Sequence, residues 1–396
     1  MALRAPTRAD AATMVLTRLA LFDFRSYAGA EMTPDAGLTV VAGPNGTGKT
    51  NLLEAIHTTI VGRSHRAGTE VELVRHGAPF ARVRLELAGG TAIELVVPGV
   101  ESGGVRKRLI VNGVPRRTST LTEVARVVLF RPEEMLLLVG SPGDRRRFLD
   151  GIVAQRDRRA ARDLVEVARV IAQRNALLRA IRAEEAPLDA LGFWDEQLAK
   201  IGSRVMRARL EVLAGLVERI GPLHDSVAAD GERDAAVGLT YVDALKEAWP
   251  DRSDPGARIP TDDELAAAYR RRIGEVRQKE AWNGVSLVGP QRDDLRAELG
   301  SRDVATHASR GQQRTIILAM KLAETDLLGV DGPRPIVLLD DVFSELDPDR
   351  ASRLSELLTR RGQVIVTTAD PGTLEGARRR EAAVWRISDG SLVREG

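Results

Sequence analysis

The chain has 396 residues, of which 43% are hydrophobic, so it can form two or three folding units with real cores and is not disordered throughout. Its 58 Lys and Arg nearly balance its 56 Asp and Glu, and the net charge of +2 therefore does not identify a nucleic-acid partner. The absence of Cys excludes disulfides, Cys-ligated zinc, iron–sulfur clusters and thiol nucleophiles. No run approaches 18 apolar residues, and the N-terminus lacks the apolar block of a secretory signal, so we expect a cytoplasmic location.

The first 140 residues predict mixed α/β structure. Residues 1–13 have no periodicity, and we expect a disordered extension there. Residues 15–27 alternate between apolar and polar, which is typical of a half-buried strand, whereas the unbroken apolar run 38–43 predicts a strand covered on both faces. Three more strands are expected between residues 80 and 114, with a tight turn at Asn112-Gly113.

The pattern changes after residue 143. From 144 to about 220 apolar residues recur at helical spacing, which predicts a helical insertion, and a Pro- and Gly-bearing stretch at 249–260 interrupts it. A helix is expected over 261–279, and strand-like residues return at 286–299. Helix, strand, helix and strand then follow at 309–328, 336–340, 348–360 and 363–368. This alternation predicts that a parallel α/β sheet resumes after the insertion.

The segment GPNGTGKT follows the buried strand and precedes a helical pattern, and it fits the phosphate-binding motif G-x-x-x-x-G-K-[ST]. Glycines let backbone N–H groups surround phosphate oxygens, Lys49 supplies a charge for the β- and γ-phosphates, and Thr50 offers a hydroxyl to Mg²⁺. An ordinary glycine-rich turn is the alternative. The predicted ATP-binding residues are Gly43, Pro44, Asn45, Gly46, Thr47, Gly48, Lys49 and Thr50.

The segment IVLLDD places two carboxylates at the carboxyl end of an apolar strand, where ligands sit in open α/β sheets. We expect Asp340 to hold Mg²⁺ and Asp341 to orient or deprotonate the water that attacks the γ-phosphate. A strand that leads into a capped helix is the alternative interpretation.

The segment ASRGQQRT predicts the start of a helix, with Ser309 as the N-cap and Gly311 and Gln312 in the first turn. Such a helix start favours phosphate binding, but the loop at Gly43 is already predicted to surround the γ-phosphate of the one nucleotide that this chain binds. The second start is therefore predicted to serve a nucleotide held by another copy, with ordinary helix capping as the alternative.

These three motifs, in this order, resemble the Walker A, signature and Walker B plus D-loop elements of an ABC-type ATPase head of the SMC class. Six further segments resemble the RecF family of bacterial recombination and repair proteins across nearly the whole chain after Met14. They are FDFRSY, GRSHR, GDRRRFLD, QRNALL, FWDEQLAKIG and SLVGPQRDDL.

The resemblance implies an ABC/SMC-type P-loop ATPase head, with a mixed sheet and a parallel core, formed by residues 14–143 and 284–396. A helical arm-like lobe is inserted at 144–283. ATP and Mg²⁺ would bind at the Walker A residues, with Thr50 and Asp340 as magnesium ligands and Asp341 as the catalytic acid. Ser309, Gly311 and Gln312 would contact the γ-phosphate bound to a second copy, and residues 344–347 would contact the opposite protomer.

The resemblance also implies a function in recombinational repair and replication-fork maintenance. ATP would drive a homodimer that closes on DNA at single-strand gaps or duplex junctions, and RecO and RecR would be partners in loading RecA. At position 341 an Asp replaces the Glu usual in ABC ATPases, and its shorter reach predicts slow hydrolysis.

Three family elements are not clear in this sequence. Residues 129–135 contain no convincing Q-loop glutamine, and the Thr367-Thr368 pair stands where a switch histidine is usual. Arg66 is either part of an arginine loop directed at nucleotide or DNA, or an exposed solvated side chain.

The densest basic stretch, 144–182, has eleven Arg against five acids. Phosphate binding would follow if these arginines shared one surface, and a solvated helix face is the alternative. Only 4% of the chain is aromatic, so backbone contact with duplex DNA, without sequence reading, is favoured over base stacking.

Two other classes of protein share the three motifs. A structural SMC protein needs a long coiled coil, but the insertion of about 140 residues is interrupted by Pro187, Gly192 and the stretch 250–260. A transporter's nucleotide-binding subunit would need a membrane partner, and the large insertion and the RecF-like segments count against it.

Overall fold

The computed structural model describes residues 14–100, 106–228, 235–245, 258–369, 382–388 and 390–395. These residues group into two units. The first unit takes in the described residues of Met1–Met135, Ser226–Ala229 and Glu324–Gly396, and the second those of Leu136–Asp225 and Asp230–Ala323. The extension expected at 1–13, and residues 249–257 of the Pro- and Gly-bearing stretch, lie outside the described residues.

The first unit contains an antiparallel sheet of six strands in the order β2-β1-β4-β5-β6-β7. Its inward-facing side chains alternate with exposed ones, as the period of two along a strand requires. The strands are β1 Leu16–Phe24, β2 Tyr27–Met32, β4 Phe80–Leu87, β5 Thr91–Pro98, β6 Arg108–Val111 and β7 Val114–Arg116.

A second sheet of the first unit has the order β15-β14-β3-β13-β12-β8 and is parallel except for the β14–β15 pair. Its central strands are buried along their whole length, which explains their unbroken apolar sequences. The strands are β3 Leu38–Ala42, β8 Val127–Phe130, β12 Ile336–Asp340, β13 Val364–Thr368, β14 Ala383–Ser388 and β15 Ser391–Arg394.

Helix α1, Lys49–Val61, packs against strands of both sheets, and its apolar side chains join one continuous core with them. Helix α8, Pro348–Thr359, connects β12 to β13. The mixed sheet with a parallel core confirms the predicted fold class.

The second unit is mainly helical. It contains α2 Pro142–Arg156, α3 Arg158–Arg182, α4 Gly192–Val227, α5 Asp262–Asn283 and α6 Val304–His307, and α7 Arg310–Val330 crosses from this unit into the first. A three-stranded antiparallel sheet has the order β11-β10-β9. Its strands are β9 Val237–Val242, β10 Asp294–Leu299 and β11 Arg302–Asp303.

The structure differs from the predicted elements at several points. The single strand expected over 15–27 is two strands, because Asp23 and Arg25 adopt positive φ angles of 45° and 53° that reverse the chain. Strands β8, β14 and β15 were not predicted, and β9 lies within the segment expected to be helical. The units divide at 135/136 and 323/324, whereas the head and lobe boundaries at 143/144 and 283/284 stay predictions. No helix in the described part of the chain is long and apolar enough to cross a membrane.

Candidate nucleotide-binding site

Two parallel strands of the second sheet, β3 and β12, carry the predicted nucleotide residues at their carboxyl ends. Because β13 lies between β3 and β12, the loop after β3 and the acidic end of β12 are separated by one strand. The N–H of Gly43 donates to the carbonyl of Thr368 at 3.2 Å, which holds the start of the loop against β13. The ligand-binding edge of an open parallel sheet is thereby formed within the first unit.

Glycines allow the backbone of the loop to turn closely around a phosphate. Gly46 and Gly48 have φ angles of 83° and 107°, which side chains with a Cβ rarely adopt. A Cβ at Gly48 would also lie 2.9 Å from the Ser26 hydroxyl oxygen and 3.0 Å from that of Tyr27. The Tyr27 hydroxyl donates to the Gly48 carbonyl at 2.9 Å, so the β1–β2 hairpin supports the loop from behind.

The side chain of Lys49 points back into the loop. Its Nζ donates to the carbonyls of Gly43 at 2.6 Å and Pro44 at 2.9 Å, and lies 3.4 Å from Oδ1 of Asn45. Thr47 closes the same turn by donating to the Pro44 carbonyl at 2.9 Å. Burial lowers the pKa of Lys49, while the nearby charges of Asp341 and Asp340 act in the opposite direction. The loop thus holds an ammonium group where phosphate oxygens would arrive.

Asp340 is connected to both neighbouring elements. Its Oδ1 accepts hydrogen bonds from the hydroxyls of Thr50 at 3.1 Å and Thr367 at 2.8 Å, and the residue is only 7% exposed. Thr50 is in the first turn of α1 and Thr367 is in β13, so the carboxylate bridges the loop helix and the strand beside it.

The Thr50 hydroxyl and the Asp340 carboxylate form an oxygen pair that suits Mg²⁺, which usually takes one or two protein ligands beside phosphates and water. These two residues would hold the ion, and the ion would neutralise charge on the β- and γ-phosphates.

Asp341 follows with a strained backbone, at φ 50°. Its N–H donates to the carbonyl and hydroxyl oxygens of Thr367, both at 3.1 Å. Its Oδ1 is buried and has no hydrogen-bond partner within the part of the chain that is described. Burial raises the pKa of Asp341, and the charge of Lys49 opposes that rise. A buried carboxylate with a free oxygen is suited to accept a proton from an attacking water.

A buried ion-pair cluster supports α1 on the side away from its first turn. Glu54 has a fully buried side chain, and it accepts hydrogen bonds from Arg25 at 2.9 and 2.8 Å and from Ser64 at 2.5 Å. Arg66 lies 3.8 Å from Glu54, and its guanidinium also donates to Asn51 at 3.3 Å. Arg66 is 42% exposed beside α1, and both alternatives for it stay open.

The predicted signature residues lie in the second unit. Ser309 and Gln312 cap α7 reciprocally: the Gln312 N–H donates to the Ser309 hydroxyl at 3.2 Å, and the Ser309 N–H donates to the Gln312 side chain at 2.9 Å. The carbonyl of Gly311 accepts from Thr315 at 3.0 Å. The start of α7 is therefore formed as predicted, and its role toward a second copy stays a prediction.

Residues 344–347 begin three positions after Asp341. The Ser344 hydroxyl donates to the Asp341 carbonyl at 2.6 Å, and the Asp347 side chain caps α8 by accepting from the Arg350 N–H at 3.0 Å. Their contact with a second protomer also stays a prediction.

Thr367 is the site residue that motif reasoning did not assign. It was noted only as a substitute for a switch histidine, yet its hydroxyl and backbone hold both Asp340 and Asp341. The signal was available in principle, because a polar residue at the carboxyl end of a neighbouring parallel strand reaches the same edge. Residues 129–135, which contain no convincing Q-loop glutamine, lie at the end of β8 and in a short 3-10 helix at Pro132–Leu136.

The eleven arginines of 144–182 do not share one surface. Arg174 is fully buried between Asp195 and Glu280, and Arg145 donates to both oxygens of Asp294 at 2.7 and 2.9 Å. Arg147 pairs with Asp144. Six of the eleven are exposed and have no carboxylate partner among the residues described: Arg158, Arg159, Arg162, Arg169, Arg179 and Arg182.

Comparison with known proteins identifies the family. Residues 15–389 match the family described as RecF/RecN/SMC N terminal domain. The chain is 36% identical over 391 residues to the "DNA replication and repair protein RecF" of Streptomyces avermitilis, which covers 96% of this chain and 100% of that protein. The chain belongs to the RecF family. A RecF of Kineococcus radiotolerans is 39% identical over 393 residues, covering 96% of this chain and 100% of that protein.

Solved structures agree with the assignment to the RecF family. One described as "Structure of the recombination mediator protein RecF-ATP in RecFOR pathway" has a TM-score of 0.84 and 26% identity, covering 97% of this chain and 98% of that one. An SMC head domain from Pyrococcus furiosus has a TM-score of 0.53 and 16% identity, covering 97% of this chain and 96% of that one, which shows a shared fold alone.

Proposed function

We propose that this chain is an ATP-dependent DNA-binding protein of recombinational repair, in which ATP and Mg²⁺ join two copies on DNA. The observation that carries the proposal is the arrangement of Lys49, Thr50 and Asp340 at one sheet edge: an ammonium, a hydroxyl and a carboxylate surround the place of a triphosphate. The similar solved structures include RecF described with ATP.

The second part of the proposal concerns pairing. Ser309 is exposed at a helix start rich in N–H and amide donors, which favours an anion. The loop at Gly43 serves the nucleotide of its own chain. ATP bound there would therefore be completed by Ser309, Gly311 and Gln312 of a second copy, and residues 344–347 would meet the same partner.

Residues 14–143 and 284–396 would act as the ATPase head, 144–283 would form the inserted helical lobe, and the ATP-driven dimer would close on DNA. The similar structure described as part of the RecFOR pathway supports RecO and RecR as partners. The proposal further includes a cytoplasmic location and the loading of RecA at gaps or duplex junctions. ATP hydrolysis with Asp341 as the base would be slow, and it would release the DNA.

Light scattering with and without a non-hydrolysable ATP analogue tests this proposal. The wild type should double in mass with the analogue, and Lys49→Met should neither bind ATP nor pair. Ser309→Arg should bind ATP as a monomer but fail to pair, because a bulky cation would occupy the shared site. A Ser309→Arg variant that pairs normally with the analogue would contradict the trans arrangement.

Retention of gapped DNA separates this function from the alternatives. The nucleotide-bound wild type should retain gapped DNA, whereas a transporter subunit would bind ATP without DNA affinity. Relatives of the RecF family match this chain over 96% of its length, so neither alternative is favoured.

A further inference from the structure

The β6–β7 hairpin of the first unit carries five cationic side chains and no acidic one between residues 106 and 117. Leu109 pairs with Arg116, so the two ends of the hairpin meet opposite the turn at Asn112-Gly113. Four arginines lie at this open end, and we name them the hairpin arginines: Arg106, Arg108, Arg116 and Arg117.

The hairpin arginines keep their charge available for a ligand. All four are exposed, and none has an ion pair or hydrogen bond to a carboxylate within the described ranges. Several other arginines of the chain are instead neutralised by a neighbouring carboxylate. Examples are the pairs Arg207–Glu211, Arg270–Glu196 and Arg272–Glu275.

The open end of the hairpin is seated on the last turn of the helix that begins at the phosphate loop. Lys107 Nζ donates to the carbonyl of Gly62, the C-cap of α1, at 2.9 Å and pairs with Glu70. Thr118 packs so closely that a Cβ at Gly62 would lie 2.2 Å from its Cγ2 atom. Lys107 thus anchors the hairpin to the end of α1. Arg63, the residue after Gly62, is exposed.

The backbone and side chains of the hairpin indicate which class of ligand it can bind. β7 is a sheet edge of three residues, and Pro115 has no N–H, so the strand is a poor template for an added strand. No aromatic side chain lies between residues 106 and 117 for bases to stack on. What remains is a group of guanidinium ions that have no carboxylate partner among the described residues, and such a group suits phosphates.

We infer that the hairpin arginines bind the phosphate backbone of duplex DNA beside the carboxyl end of the nucleotide helix. The inference rests on the proposed function, and it places the contact between this protein and DNA in the first unit. The arginines of α3 are the rival surface. There exposed Glu166 lies within one helical turn of both Arg162 and Arg169, which weakens the attraction for phosphate.

The test measures duplex binding by fluorescence anisotropy across a salt series, with the ATP analogue present, in a variant with the four hairpin arginines changed to Gln. Each phosphate contact contributes about 0.9 to the slope of log affinity against log salt, so the slope should fall by about 3.6. The advantage of the wild type over the variant should then shrink by roughly 150-fold between about 50 and 200 mM salt. ATP affinity should stay unchanged.

Two matched variants control for net charge and for side-chain shape. Changing the same arginines to Lys should retain the slope, because Lys still contributes a point charge to each phosphate. Changing four ion-paired arginines to Gln alters the net charge equally and should leave the slope nearly constant: Arg207, Arg270, Arg272 and Arg360.

Three results would overturn the inference. These are an unchanged slope in the hairpin Gln variant, an equal fall in the ion-paired control, and a fall that appears only when Arg158, Arg162 and Arg169 of α3 are changed. Each of them leaves duplex binding by the wild type intact, and therefore leaves the proposed function standing. A wild type that binds no duplex at any salt concentration would end both proposals.

Discussion

Arg25→Met tests how much the buried ion pair beneath α1 contributes to the first unit. The Arg25 guanidinium donates twice to Glu54, at 2.9 and 2.8 Å, and once to the carbonyl of Glu72 at 2.8 Å. The Glu54 side chain is fully buried. After the substitution this carboxylate keeps only the Ser64 hydroxyl and the more distant Arg66 as partners.

The expected loss follows from the cost of a buried charge without its partner. Removing one member of a buried ion pair costs about 3–5 kcal/mol, and the remaining contacts place the expected loss near the lower value, about 3 kcal/mol. Burial favours a raised pKa for Glu54, but the hydrogen bonds from Arg25 and Ser64 hold it below its usual range. In the variant that pKa should rise, so the loss should shrink when unfolding is measured at lower pH.

Urea unfolding at neutral and mildly acidic pH measures this loss. Arg18→Met is the matched control, because Arg18 pairs with Glu31 on the surface, where the side chains are 44% and 64% exposed, and this substitution should cost much less stability than Arg25→Met. Adding Glu54→Gln to Arg25→Met should recover part of the stability, since the buried charge is gone. The reasoning is refuted if Arg25→Met costs no more than Arg18→Met, or if the second substitution recovers nothing.

Two further predictions concern pH and hydrolysis. The ring nitrogens of His65 are buried without hydrogen-bond partners in the described structure, and burial together with the charge of Arg131 lowers its pKa to about 4. The unfolded chain takes up this proton near pH 6.5, so stability should be lost as pH falls from 6.5 to 4, by about 3 kcal/mol in total. His65→Phe should flatten that part of the stability curve, and parallel curves would contradict the assignment. Asp341→Asn, which tolerates the same positive φ, should keep ATP affinity but slow single-turnover hydrolysis by more than about 10²-fold. Burial raises the pKa of Asp341, so the hydrolysis rate of the wild type should begin to fall at a higher pH than it would with an Asp of ordinary pKa. An unchanged hydrolysis rate in Asp341→Asn would exclude Asp341 as the base.

The nucleotide loop could be predicted in detail because its signal is local. The spacing of Gly43, Gly48 and Lys49 between an apolar strand and a helical pattern is fully contained in one short segment, and the structure forms the loop at that place. The start of α7 at Ser309 was predictable for the same reason, since a cap depends on residues three positions apart.

The sequence by itself therefore determined the fold class, the family resemblance and the residues that are predicted to bind phosphate. Only the tertiary structure decided that Thr367 holds both acids of β12, that Arg25 neutralises Glu54, and that Arg174 is buried rather than available to DNA. These contacts join residues that are between 26 and 106 positions apart. The acids of β12 and Thr367 also lie on paired strands that are separated in the chain by a helix. Periodicity and motif spacing report on neighbours along the chain, and strand order, which brings such distant residues together, is set by packing of the whole unit.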